Sequence, residues 1–182
     1  TPDTNYHVTD VYIDGSPIGA TNSYTFFNVT NGGHAVWASF ALDEFALTVN
    51  SAFGAPTPGV GLSSNIWNTL INASVSTPVP DGATTQYVCT GWAGSGAVPV
   101  SGTSNSVSFN LTNNSSLTWN WSTQVVLNAI AGANGSVVGS NGWYNYGATG
   151  VIVTAVPTGG YSFVNWTGDI ASTNPVLNLT MT

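Results

Sequence analysis

Not one lysine or arginine occurs among the 182 residues, against seven aspartates and glutamates, so the net charge is −7 and charged side chains make up only 4%. An ordinary soluble domain is about a quarter charged. The absence excludes ion pairs between side chains, apart from those of a protonated histidine or the N-terminus. Stability must therefore rest on apolar burial and hydrogen bonds. Nucleic acid is excluded as a partner, because phosphate binding depends on Lys and Arg. Attraction to anionic lipid fails for the same reason. Cysteine is almost as scarce: Cys89 stands alone, which rules out an internal disulfide and suits a small buried hydrophobe. No apolar run approaches the roughly 20 residues of a membrane span, so no membrane insertion is expected. No signal-peptide pattern opens the chain, which reads as a mature product, a processed piece or part of something longer. Glu, Lys and Arg, the common surface helix formers, are nearly gone.

What remains is written in strand language. Val, Ile, Thr, Tyr, Phe and Trp are abundant and turn residues punctuate them every 8–12 positions or so. The one helix-like patch is "SSNIWNTLINASV", with Trp67, Leu70 and Ile71 at i, i+3, i+4; the β-branched residues that follow favour extended structure. The sequence predicts an all-β fold of tandem small antiparallel sheet modules.

Three phrases recur at long intervals, the mark of internal repetition. "YHVTDVYIDG" starts at Tyr6, "YVCTGWAGS" at Tyr87 and "YSFVNWTGD" at Tyr161. A second formula follows each: "FNVT" from Phe27, "FNLT" from Phe109 and "LNLT" from Leu177. Period-two alternation puts Phe27/Val29, Phe109/Leu111 and Leu177/Leu179 toward a core and the intervening asparagines outward. Two copies end in a further strand, "HAVWASFA" and "SSLTWNWST", with Val36, Ala38 and Phe40, or Leu117, Trp119 and Trp121, on one face. The third has no counterpart and ends at "LNLTMT". The modules are thus residues 1–42, the C-terminal half of a repeat; 43–124, a complete Trp-rich repeat; and 125–182, a repeat without its last strand. Tyr6, Tyr87 and Tyr161 should head equivalent strands, with Val8, Cys89 and Phe163 on the same face. Trp92 and Trp166 follow at an odd step, which calls for a bulge or bend just before each.

Little suggests chemistry, and no catalytic, cofactor or metal residues are assigned. Asp10, Asp14 and Asp169 fall at equivalent turns and read as structural; Asp43-Glu44 lies at a module junction. His7 and His34, each placed in a strand, have no metal-ligand spacing. No nucleophile elbow precedes any serine. Trp143, Tyr144 and Tyr146 in "NGWYNYG" are the candidate exposed aromatic patch. Nine Asn-x-Ser/Thr acceptor patterns occur, at Asn28, Asn72, Asn110, Asn113, Asn114, Asn120, Asn134, Asn165 and Asn178. Asn28, Asn110 and Asn178 share one repeated outward position, and with Asn72, Asn120, Asn134 and Asn165 they are the glycosylation candidates.

"GANGSV…GWYNYGATGVIVTAVPTGGYSFVNWTGD" resembles the divergent relatives of the internalin B-repeat, a small β-module strung in tandem in surface proteins. "YHVTDVYIDGSPIGATNSYTFFNVTNGGHAVWASFA" resembles the second half of such a module, and "YVCTGWAGSGAVPVSGTSNSVSFNLTNNSSLTWNWSTQ" a Trp-rich variant. The resemblance implies an extracellular or cell-surface repeat, structural or adhesive, without chemistry. The expected function is a non-catalytic subunit of a filament, fibre or surface layer. Its partners are then copies of itself, joined head to tail through an open edge at Asn178, Leu179, Thr180 and Met181. An adhesin or carbohydrate-binding segment is the alternative, with glycans as the partner class.

Overall fold

The computed structural model describes residues 1–27, 29 and 32–182, and among them there is no helix. Val, Thr and aromatic residues at alternating positions form strands throughout, and "SSNIWNTLINASV" becomes a strand, a two-residue turn and another strand. The turn is made by Trp67 and Asn68, the latter at φ 66°.

The middle of the chain builds a two-layer sandwich. Its larger sheet holds β4 (Glu44–Asn50), β5 (Gly61–Ile66), β7 (Val79–Asp81), β8 (Thr85–Ser95) and β11 (Ser115–Leu127), in the order β5-β4-β11-β8-β7. Short β9 (Ser101–Gly102) adds to β8. The facing layer is β6 (Thr69–Ser74) paired with β10 (Ser106–Leu111). β11 is antiparallel to β8 but parallel to β4, with Ser115–Thr118 beside Leu47–Asn50. Leu47, Val49, Ile71, Phe109, Leu111, Leu117 and Trp119 close the core between the layers. Each such side chain contributes about 1.5–3 kcal/mol of burial. Phe109 and Leu111 turn inward while Asn110 between them is exposed, as the alternation requires.

The N-terminal part is a three-stranded sheet of β1 (Tyr6–Ile13), β2 (Ser16–Pro17) and β3 (Val36–Leu42), ordered β2-β1-β3. After the single residue Asp43 the chain continues from β3 into β4. β11 makes the same passage without a break: its end, Gln124–Leu127, pairs with β13 (Gly142–Asn145) on one side while Gln124 and Val125 are still paired with β8 on the other. A last sheet joins β12 (Gly135–Val138), β14 (Val151–Pro157) and β15 (Val176–Leu179) in the order β12-β14-β15. It closes over Val125, Leu127 and Tyr144, around buried Val153, Leu179 and Met181.

Register makes the repetition geometric. Val8 pairs with Phe40 and Val11 with Ala38; Cys89 pairs with Trp121 and Trp92 with Trp119. Both ladders slip by one residue at the same place, at Thr9 in β1 and Thr90 in β8. This is the expected bulge, two residues before Trp92, and it turns the indole inward after an odd step. Gly91 serves it at φ 126°, where a Cβ would meet the Gly102 carbonyl oxygen.

Some expectations fail, and two fail for one reason. Phe27 and Val29 are 87% and 62% exposed and not in a strand, although they repeat Phe109 and Leu111. Those pair with β6, as β15 pairs with β14; among the described residues no such strand stands beside the N-terminal sheet. Tyr161 heads no strand either. Its equivalents Tyr6 and Tyr87 lie in β1 and β8, paired with β3 and β11, whereas residues 161–165 have no strand beside them among the described residues, and Trp166 forms an isolated bridge to Ser172. Two acid and histidine positions also differ. Asp10 lies within β1 rather than in a turn, and His34 precedes β3 rather than lying in it.

Candidate functional site

Two places stand out from the closed sandwich: the first sheet's inner face, on which Val11 and Ile13 are buried but no second sheet lies among the described residues, and the unstranded segment of the last. On β3, Val36 and Phe40 are 55% and 49% exposed, while their register equivalents in β11 are buried (Leu117) or half-buried (Trp121). Val8, Val11 and Ala38 share their face, and Tyr24 and Phe26 flank it, enclosing an open groove of about 390 Å³. A second groove, of about 230 Å³, lies in the third module between Ile130–Val137 and Ser162–Trp166. Its Phe163 and Trp166 repeat Cys89 and Trp92 and contact each other at 5.5 Å between ring centroids.

Acids and histidines tie loops together. Asp14, at φ 50° in the β1–β2 turn, accepts a 2.8 Å bond from the Ala35 N–H and contacts His34 Nδ1 at 2.7 Å. These contacts lower its pKa, the histidine bond most. His7 Nδ1 lies 3.2 Å from Asp43 Oδ1 at the junction of β3 and β4. Asp10 accepts the Gly19 N–H, and Glu44 accepts the Ser64 hydroxyl. These four carboxylates each have a local structural partner. Among the described residues no group of three or more His, Cys, Asp or Glu converges for a metal. Cys89 is half-buried against the sandwich core.

The structure separates the expected aromatic patch. Trp143 is 40% exposed and shares a sheet face with Asn145, while Tyr144 turns to the core of the last module and Tyr146 lies exposed beyond the strand. Across the Trp143 face runs an amide ladder that the sequence did not announce. Gln86 Nε2 donates to Gln124 Oε1 at 2.8 Å, and Gln124 Nε2 donates to Asn145 Oδ1 at 3.1 Å. Its three members come from strands far apart in sequence, so spacing could not reveal it. A second aromatic cluster also went unread: Phe53 stacks on Tyr87 at 3.6 Å and meets Trp121 edge-on at 5.8 Å.

Of the glycosylation candidates, Asn72, Asn110, Asn120, Asn134, Asn165 and Asn178 are exposed, and Asn28 lies outside the described residues. Asn110 donates to Asn68 Oδ1 and Asn72 accepts from the Ser108 hydroxyl, both at 2.8 Å, on the outer face of β6–β10. Of the expected assembly edge, Asn178 and Thr180 are exposed, whereas Leu179 and Met181 are buried. The Met181 N–H donates to Ala148 O and its carbonyl accepts the Gly147 N–H. β15 is the last strand of its sheet, paired with β14 on one side; residues 161–165 are a second stretch outside any strand.

No curated protein and no solved structure matches the chain. The third module, with its hairpin of β11 and β13, its sheet β12-β14-β15 and its Tyr-to-Trp phrase, is where a family match falls: residues 125–182 match the divergent InlB B-repeat domain.

Proposed function

We propose that the chain is a non-catalytic structural unit of an extracellular assembly, a filament, fibre or surface layer, built by association of copies of itself. The family match to residues 125–182 supports a surface-protein module. One observation carries the finer reading. The phrase at Tyr6 and Tyr87 forms a strand against a neighbour, and the same phrase at Tyr161 has none. An uncovered strand position and an uncovered apolar face are association surfaces, and strand addition from another chain satisfies both backbone and side chains. A surface without Lys or Arg, rich in Ser, Thr and Asn, suits a hydrated material. Light scattering over a concentration series, with negative-stain microscopy, tests this. Growing end-to-end particles are expected, and a chain that stays monomeric at the highest concentration ends the proposal.

A second reading is binding of neutral polysaccharide, favoured by Trp143 beside the Gln86–Gln124–Asn145 ladder. An indole face stacks on a pyranose ring, and planar amides offer paired donors and acceptors to its hydroxyls. Affinity electrophoresis on neutral glycans, with Trp143→Ala as the comparison, decides it. A monomeric chain retarded only when Trp143 is present would replace the filament reading.

A further inference from the structure

We infer that β5, an edge strand of the sandwich's larger sheet, is a pairing surface for β5 of a second copy. The contact uses residues inside the chain and does not depend on the filament reading.

The two edges of that sheet are built differently. β7 closes one edge with three residues, of which Pro80 lacks an N–H and Asp81 is charged. Both devices discourage strand addition. β5 forms the other edge with six residues that include neither proline nor charge. Its ladder to β4 runs from Ile66 to Gly61 without a register shift, so the edge is regular along its length. No second strand pairs with it among the described residues.

Backbone direction follows from β4. The Ala46 N–H points to the β11 side, where Asn114 Oδ1 accepts it at 2.9 Å. The Asp43 carbonyl, on the β5 side, accepts the Trp67 N–H. In a strand, successive residues present their backbone groups to opposite edges. Phe45, Leu47 and Val49 therefore bond to Asn65, Ser63 and Gly61, their register partners. The N–H and C=O groups of Leu62, Ser64 and Ile66 face away from the sheet. Of these, the Ile66 carbonyl alone has a partner among the described residues, the Thr69 hydroxyl at 2.8 Å.

The same residues share the outer sheet face, where they read apolar, polar, apolar. Leu62 is 75% exposed and Ile66 49%. Further in, Thr48 and Asn50 of β4 and Thr118 and Asn120 of β11 make this face polar. Exposed apolar side chains thus collect on the strand whose backbone is also unpaired.

This pattern reads alike in both directions about Ser64, and that selects the partner. Two β5 strands set antiparallel about a two-fold axis at Ser64 put Leu62 of each copy beside Ile66 of the other, on one face. The two Ser64 residues exchange both backbone bonds, and each Ile66 N–H reaches the Leu62 carbonyl of the other copy. The register that matches the side chains is therefore the one that matches the backbone groups. Charge permits it: β5 has none, and Glu44, one strand back, is held on the Ser64 hydroxyl of its own chain at 2.7 Å. A two-fold contact of this kind is isologous and closes at the dimer.

The test uses single-residue variants of the full chain, in salt sufficient to screen the charge of −7 on each copy. Bonded partners in an antiparallel pair have Cα atoms about 5.5 Å apart, within disulfide reach. Under oxidation Ser64→Cys should form a covalent dimer. Leu62→Cys, opposite Ile66 and not itself, should stay uncrosslinked, and wild type, with Cys89 alone, is the blank. In sedimentation without oxidant, wild type should reach at least twice the monomer mass as concentration rises. Ser64→Pro removes an N–H that bonds to nothing within the chain, and Leu62→Asp charges an exposed site. Each should weaken the pairing about tenfold or more. Circular dichroism checks their folding, and Leu62→Asp carries the test if the proline variant unfolds. If both cysteine variants crosslink alike, or a folded edge variant associates like wild type, the β5 contact is overturned, and filament growth that persists belongs to another contact. If wild type stops at a dimer that the edge variants lose, the β5 contact stands and the filament reading falls. A monomeric wild type with no Ser64→Cys dimer overturns both.

Discussion

Trp92 and Trp119 face each other across β8 and β11, their ring centroids 6.1 Å apart and their planes at 73°. Both indoles are buried, and neither Nε1 has a hydrogen-bond partner among the described residues. The pair fills the sandwich core with volume and shape while leaving two donors unsatisfied, at a cost of about 1–3 kcal/mol each.

Trp119→Ala should therefore destabilise the chain by about 3–5 kcal/mol, the cost of emptying a large core site. Trp119→Phe should cost clearly less, because it removes the orphaned donor along with part of the volume. Urea unfolding followed by circular dichroism measures both. Equal losses would show that the ring volume kept by phenylalanine contributes nothing there.

The bulge at Thr90 depends on Gly91. Gly91→Ala would put a methyl group against the Gly102 backbone at φ 126°, and about 2–4 kcal/mol of destabilisation is expected from strain and overpacking. Gly132→Ala, with nothing within 4 Å of the added carbon, should change stability by less than about 0.5 kcal/mol. The same unfolding assay compares them.

Acid should loosen the first module before the sandwich. The His34 and Ala35 bonds hold the Asp14 pKa below its ordinary 3.8. A depressed pKa adds stability that is present above 3.8 and is lost as pH falls through the lower folded value. Tyr12 and Trp37 stack at 3.7 Å on this sheet, so near-ultraviolet dichroism of the pair should decay below pH 3.8. Asp14→Asn should flatten that decay. Tyr87 behaves in the opposite sense. Its bond to Asp81 raises its pKa, so its contribution is present below the ordinary 10.0 and lost as pH rises past it. Tyr87→Phe should remove this alkaline dependence.

Sugar, where the native chain carries it, should sit at Asn72, Asn110 or Asn178 and not at Asn113. The Ser115 hydroxyl that would complete the Asn113 acceptor is buried, donates to Asn113 O and accepts the Ala97 N–H. Chymotryptic peptide masses of native material check this, and a glycan at Asn113 would contradict the folded geometry.

Much of this architecture was legible because alternation is local. Phe109 and Leu111 turn in and Asn110 out for reasons contained in four residues, and the odd step to Trp92 announced a bulge before any partner strand was known. The exposure of Phe27 was not legible. Its phrase is as apolar as that of Phe109, and only the presence or absence of a strand like β6 separates the two. The aromatic reading of "NGWYNYG" failed similarly, since consecutive strand residues point to opposite faces and Trp143 parts from Tyr144.

The sequence by itself determined the strand class and the alternation of faces within each strand. Composition and spacing are properties of the chain, and water enforces them wherever the chain folds. Tertiary structure alone decided which repeats close: β6 lies over Leu117 and Trp119, only irregular backbone around Tyr24 and Phe26 flanks Val36 and Phe40, and Gln86, Gln124 and Asn145 meet across three strands. Burial and backbone pairing are relations between distant segments, and no repeat carries in its own residues the strand that must cover it.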